Sequence, residues 1–172
     1  IVLSGTEDED YSLNELSTIN LKESIRISNL LRSGGMNNYR KFLMYLDLLL
    51  GTKTIPKNLL DSISYPDPYL YDWRDEKGPK IAIISYKSLF LANELDISDE
   101  INKILRKNNM SPKTLFVSSL KSTKVQNDIK EIFKDNKISL ILTTPSFNST
   151  IQKDKDDNLC ISNLFSSLNI PV

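Results

Sequence analysis

The sequence predicts an α/β fold in which a parallel sheet is covered by helices. Two observations carry this prediction. Short apolar runs that stop at polar residues recur at Lys80–Tyr86, Thr114–Ser119 and Ser139–Thr144, and a fourth begins at Asn169–Val172. The segments between them have helical spacing, and strand alternating with helix is the pattern of a parallel sheet. The expected architecture is flavodoxin- or Rossmann-like, preceded by a helical segment and part of another α/β unit. Residues 1–51 read as the end of that unit plus two helices, 52–79 as a Pro- and aromatic-rich linker, and 80–172 as a three- to four-stranded α/β domain.

Ile1 to Gly5 reads as the tail of a strand and Asn169 to Val172 as the head of another. Both ends therefore look cut through an α/β pattern, and the chain is expected to be a piece of a longer polypeptide. Ile1 has no basic flank, so no signal peptide is expected. Thr6 to Asp10 is an acidic turn without the alternating ligands and Gly of a calcium loop. Asn20 is suited to cap a helix, with Glu23 three residues on as its capping-box partner. Leu21, Ile25, Ile27, Leu30 and Leu31 form that helix's apolar stripe, and Gly34-Gly35 ends it. In the next helix Tyr39, Phe42, Leu43, Leu46, Leu49 and Leu50 fall on one face of a 3.6-residue period. Asn37 or Asn38 is expected to cap it and Gly51 to stop it.

Pro56, Pro66, Pro68 and Pro79 exclude a long regular element from the stretch that follows. Tyr65, Tyr69, Tyr71 and Trp73 crowd into it. They either pack this stretch onto the sheet domain or form a flat wall for a ring-shaped ligand. After Tyr86, a loop containing Ser88 and Asn93 leads to a helix near Ser98. Ile101, Ile104 and Leu105 mark the expected buried side of that helix. Lys103, Arg106 and Lys107 suit its C-terminal dipole, and Asn108-Asn109 ends it. Ser122 or Thr123 caps the next helix, whose core stripe is Val125, Ile129, Ile132 and Phe133. Phe147 to Asn158 is a polar loop, read either as a lid or as a solvated loop. Ile161, Leu164, Phe165 and Leu168 suggest one more short helix.

Composition excludes several functions. Lys+Arg and Asp+Glu balance at 22 each, so there is no basic footprint for a nucleic acid. His is absent and Cys160 is alone. A zinc site of the usual N/S type, a Ser-His-Asp triad and an intrachain disulfide are therefore excluded within this chain. A lone Cys fits a reducing, cytoplasmic setting. No apolar run approaches the roughly 20 residues that span a bilayer, so no membrane span is expected. The 40% apolar share suffices for a packed core. No Gly-rich phosphate loop follows the first strand, because Tyr86-Lys87-Ser88 matches neither dinucleotide nor P-loop spacing.

What remains as a candidate site is a rim of hydroxyls at the strand ends: Tyr86, Ser118, Ser119, Thr143, Thr144 and Ser146. Ligands of open α/β sheets bind outside this carboxyl edge. Hydroxyls donate or accept, which suits carboxylate or amide groups on a ligand; they equally suit capping the helices that follow.

Taken in order, the segments resemble the large subunit of the class I chelatases: the cobaltochelatase N subunit, with the magnesium chelatase H subunit as its relative. The resemblance rests on Leu115-Phe116-Val117-Ser118-Ser119-Leu120-Lys121, Leu142-Thr143-Thr144-Pro145-Ser146-Phe147 and Leu168-Asn169-Ile170-Pro171-Val172. It also rests on the Gly34-Gly35 break, the Phe42-Leu43-x-Tyr45-Leu46 helix and the Ile81–Tyr86 strand. Pro145 departs from the small residue more usual there. The resemblance implies a fragment of a tetrapyrrole-binding subunit that works with AAA+ ATPase and accessory subunits to insert cobalt into hydrogenobyrinic acid a,c-diamide. The parent complex would use ATP and Mg, with cobalt, or magnesium in the sister branch, as the inserted metal. No cofactor, catalytic residue or metal ligand is assigned to this stretch. Tyr86, Ser118, Ser119 and Thr144 are the expected substrate contacts. Two readings stand beside it: magnesium insertion into protoporphyrin IX, and a non-catalytic flavodoxin-like binding or docking domain. A phosphoacceptor receiver is disfavoured, because Ser85-Tyr86 and Thr143-Thr144 stand where its acidic residues belong.

Overall fold

A computed structural model of the chain describes residues 1–3, 11–144, 150–151 and 162–172. It divides into two compact units, Ile1–Tyr65 and Pro66–Val172. Thr6 to Asp10, Ser146 and most of the Phe147–Asn158 loop lie outside the described residues.

The first unit is helical. A short 3-10 turn (Tyr11–Leu16) precedes α1 (Leu21–Ser33) and α2 (Met36–Leu50). Asn20 caps α1 as expected: its Oδ1 accepts from the Glu23 N–H at 3.0 Å and its Nδ2 donates to Glu23 Oε2 at 2.9 Å. Ile1–Leu3 forms no strand. The Val2 N–H donates to the Ser17 hydroxyl at 2.8 Å, and Ser4 and Gly5 of the expected strand lie outside the described residues. Ile27, Leu30, Tyr45 and Leu60 form the core, with Phe42, Leu46 and Leu49 packed against it.

Two expectations for α2 are corrected. Gly35, at φ 84°, is its N-cap, and Asn38 lies inside the helix, fully buried. Its amide donates to the carbonyls of Gly34 and Ile63 at 2.7 and 2.9 Å and accepts from the Ile63 N–H at 2.9 Å. Asn38 thus clasps the returning segment, and its polar atoms are satisfied where an unpaired amide would be costly. The buried face also differs. Asn38 and Tyr45 point inward, whereas Leu43 and Leu50 are 62% and 83% exposed. Leucines surround this helix on most sides, so the spacing alone selects no single face. Gly35 has a second constraint, because a Cβ there would fall 2.6 Å from the Tyr65 ring.

The second unit holds the sheet. Its elements are β1 (Tyr69–Tyr71), β2 (Lys80–Tyr86), α3 (Lys87–Ala92), α4 (Asp96–Lys107), β3 (Ser111–Val117), α5 (Thr123–Asn136), β4 (Leu140–Thr143), β5 (Thr150–Ile151), β6 (Ser162–Asn163) and α6 (Leu164–Leu168). Four strands form a mixed sheet in the order β1-β3-β2-β4. β2 runs parallel to both β3 and β4, and β1 is an antiparallel edge on β3. β5 and β6 form a separate antiparallel pair. Asn169–Val172 is not assigned as a strand, but the Pro171 carbonyl accepts from the Ile141 N–H at 2.9 Å on the open side of β4.

The stretch expected as one linker, 52–79, is divided between the units, and its second part supplies β1 and a strap onto the sheet. The aromatics explain this: Tyr71 meets Phe116 edge-on at 5.6 Å and Tyr69 stacks on Phe90 at 4.0 Å. Strand alternation gives the sheet two covered faces. Ala82, Ile84, Leu115 and Val117 pack with Val125, Ile129 and Phe133 of α5. Thr114 faces the other way, where its hydroxyl donates to Asn102 Oδ1 of α4 at 2.8 Å. The inner side of α4 is therefore Ser98 and Asn102, both buried. Ile104, expected inside, is 51% exposed.

Candidate functional site

The topology creates a crevice before any side chain is considered. The β2–β3 connection carries α4 over one face, and the β3–β4 connection carries α5 back across β2 on the other. The chain steps from β2 to the strand on one side and then crosses to the other side, and the point where the strand order reverses leaves a gap at the carboxyl edge, the usual ligand position of such sheets. Here that gap lies between β2 and β4.

A cavity of about 530 Å³ occupies it. Ser85 and Tyr86 from the end of β2 and Thr144 just past β4 form one side. Leu89 of α3 and Ile97 and Ser98 of α4 form the other, with Asn93, Glu94 and Asp96 at the α3–α4 turn. Ser85 is 1% exposed, and its Oγ lies 2.7 Å from Thr144 Oγ1. The Thr144 N–H donates to the Ile84 carbonyl at 3.2 Å, so Thr144 is set by continuation of the sheet ladder. Tyr86 is the N-cap residue of α3. The turn is closed by Asn93 in the left-handed region at φ 62°, which Asn tolerates better than most residues. The cavity combines apolar walls, a floor of hydroxyls and two carboxylates, and no Lys or Arg among the described residues lines it.

Of the four substrate contacts expected from sequence, the structure brings Tyr86 and Thr144 together in this cavity. Ser118 and Ser119 stand at the end of β3 and do not line it. The Ser118 N–H donates to Asp67 Oδ1 at 3.2 Å, and the Ser119 hydroxyl accepts from the Lys121 N–H at 3.1 Å. Ser85, Glu94, Asp96 and Ser98 were not singled out by the sequence reading. The available signal was the pair of acids between the first strand and the following helix.

The opposite, amino end of the sheet carries ionic contacts. Arg106 of α4 binds Asp72 Oδ2 at 2.7 Å and Glu76 Oε1 at 2.8 Å. Burial lowers the Arg106 pKa, but these two carboxylates outweigh it and the net shift is upward. Lys113, 1% exposed within β3, donates to the Arg74 carbonyl and lies 5.5 Å from the Trp73 ring centre. Burial, reinforced by the neighbouring Lys80 charge, lowers its pKa. Gly78, at φ 105°, touches the α4–β3 turn so closely that a Cβ would fall 2.2 Å from the Asn109 carbonyl oxygen. Along β1, Tyr71 donates to Asp99 Oδ1 at 2.9 Å; burial first, then this bond, pushes its pKa up to about 12. Among the described residues no three His, Cys, Asp or Glu side chains gather into a metal site, and no helix is long and apolar enough to cross a membrane.

Fold and cleft together define a mixed α/β unit with a ligand-sized crevice at its carboxyl edge. The family model described as CobN/Magnesium Chelatase matches residues 28–172, and the chain belongs to that family. Among solved structures, the catalytic subunit of cobaltochelatase from Mycobacterium tuberculosis is similar, with a TM-score of 0.68 at 18% identity. The match covers 83% of this chain and 12% of that one, so the chain spans a small part of its relative's length. No curated protein sequence matches.

Proposed function

We propose that this chain is a stretch of the tetrapyrrole-binding large subunit of an ATP-driven metal chelatase. In this reading the subunit belongs to a cytoplasmic ligase that inserts cobalt into hydrogenobyrinic acid a,c-diamide during cobalamin synthesis. AAA+ and accessory subunits supply the ATP hydrolysis. The observation that supports the reading is the family match over residues 28–172. The family description also names magnesium chelatase, which keeps protoporphyrin IX as the second candidate ring.

The cleft between β2 and β4 is the proposed contact. Leu89 and Ile97 offer an apolar wall to a ring, and Tyr86 and Thr144 offer hydroxyls to its peripheral groups. Ser118 and Ser119 flank these at the next strand end. This stretch binds and orients; it holds no His, and metal delivery and ring deprotonation are assigned to other parts of the subunit.

Titration of the 172-residue chain with a cobalt-free corrinoid and, separately, protoporphyrin IX tests the reading through the ring absorbance and Trp73 emission. The expected result is saturable binding of one ring, weakened about tenfold by Tyr86→Ala with Thr144→Val. Equal loss from Ser118→Ala with Ser119→Ala would move the contact to the end of β3. No saturable change with either ring would overturn the assignment of ring contacts to this stretch.

A further inference from the structure

A second cavity, of about 400 Å³, lies at the far end of the sheet unit, between the C-terminal part of α5 and the segment after α6. Lys130, Lys134 and Lys137 line it, and Leu168 and Ile170 provide its apolar surface over the buried Phe133 and Ile138. The first two lysines are one helical turn apart, and Lys137, the C-cap in the left-handed region at φ 52°, is a further turn on. All three therefore project from one side of α5.

None of these lysines forms an ion pair among the described residues. Asp128, Glu131 and Asp135 lie on the same helix and are not paired with them either. Like charges one turn apart repel, and the chain as a whole has no net charge. Basic residues in a last helical turn do complement the helix dipole. That accounts for Lys134 and Lys137, but not for Lys130 a turn earlier, nor for a concave apolar floor between the three.

We infer that this cavity binds an organic anion: a carboxylate on an apolar body, with the body on Leu168 and Ile170 and the carboxylate among the lysines. Lys and Arg side chains select anions by charge, and a mostly apolar concavity selects for a hydrophobic remainder. The acid-rimmed cleft between β2 and β4 has the opposite charge, so the two cavities prefer different ligands. This inference does not depend on the tetrapyrrole reading.

The test is a titration of the 172-residue chain with octanoate, octanol and octylammonium, followed by the amide NMR shifts of Lys134, Lys137, Ser167 and Leu168. Naphthalene-2-carboxylate serves as a ring-bodied second anion, so that aliphatic and aromatic sources are told apart. Both anions are expected to move these amides saturably, with octanol and octylammonium binding at least about tenfold more weakly. Lys134→Glu with Lys137→Glu should weaken the anions by at least about tenfold, and Lys134→Arg with Lys137→Arg should not. Should the charge-reversed chain fail to fold, Lys134→Gln with Lys137→Gln gives the same comparison. Equal binding of octanol and octanoate, unchanged anion affinity after charge removal, or no saturable shift would each overturn the inference.

Discussion

The two ends of the sheet in the Pro66–Val172 unit use polar side chains in opposite ways. At the amino end they are bonded to the scaffold: Arg106 to Asp72 and Glu76, and Lys113 to the Arg74 carbonyl. At the carboxyl end Ser85, Tyr86, Thr144, Glu94 and Asp96 border a cavity. The same strands thus carry stability at one end and an open site at the other. A parallel sheet favours this division, because the switch in strand order opens a gap where the strands finish.

Substitutions at the two ends should therefore differ in cost. The largest effect is expected at the amino end. Arg106→Ala leaves Glu76, 25% exposed, without its cation and Asp72, 16% exposed, with Arg74 alone, and should lower the stability of the sheet unit by about 2 kcal/mol. Urea unfolding followed through Trp73, the only Trp, reads this unit directly. A loss under about 0.5 kcal/mol would put these contacts in the class of surface pairs and erase the contrast. Ser85→Val removes one hydroxyl from the carboxyl end and should cost about 1 kcal/mol, because Thr144 is exposed and can bond water instead. A cost equal to that of Arg106→Ala would show that the cleft is as much a structural element as the strap.

The smallest effect concerns pH. The Tyr71 pKa is raised in the folded chain to about 12 from 10.0. Folding thus favours the protonated phenol, and this contribution is complete below pH 10 and lost as pH rises from 10 toward 12. Lys113, whose pKa is lowered, acts in the other direction as it releases its proton. Melting temperatures of the wild type and of Tyr71→Phe between pH 9 and 11.5 should converge as pH rises. Parallel curves would remove Tyr71 from the account.

Much of this arrangement is legible in the sequence. β2 occupies the residues expected of it, Lys80–Tyr86, because an apolar run bounded by Pro79 and a hydroxyl edge has few alternatives. The Asn20 and Ser122 caps are equally readable, since each is a local hydrogen bond. What was missed is non-local. β1 is three residues long and exists only through its pairing with β3. Ser111–Lys113 belong to β3, although Pro112 and Lys113 suggest a loop; Lys113 is tolerated there because Arg74 and Trp73 receive it. Asn38 reads as a cap, and only the return of Ile63 makes it a core residue. At the site, the carboxyl edge and two of its residues were readable from strand order. The other cavity residues depend on how α3 and α4 are placed around it.

The burial of Lys113 also sets a clock on the molecule. Amine-reactive reagents modify exposed lysines at once, but this amine is sealed beneath Trp73 and bonded to the strap. Its acylation must wait until the strap lifts from the strand. The rate of labelling at Lys113, read by mass spectrometry against the exposed Lys103, therefore counts how often the sheet unit opens at this strand.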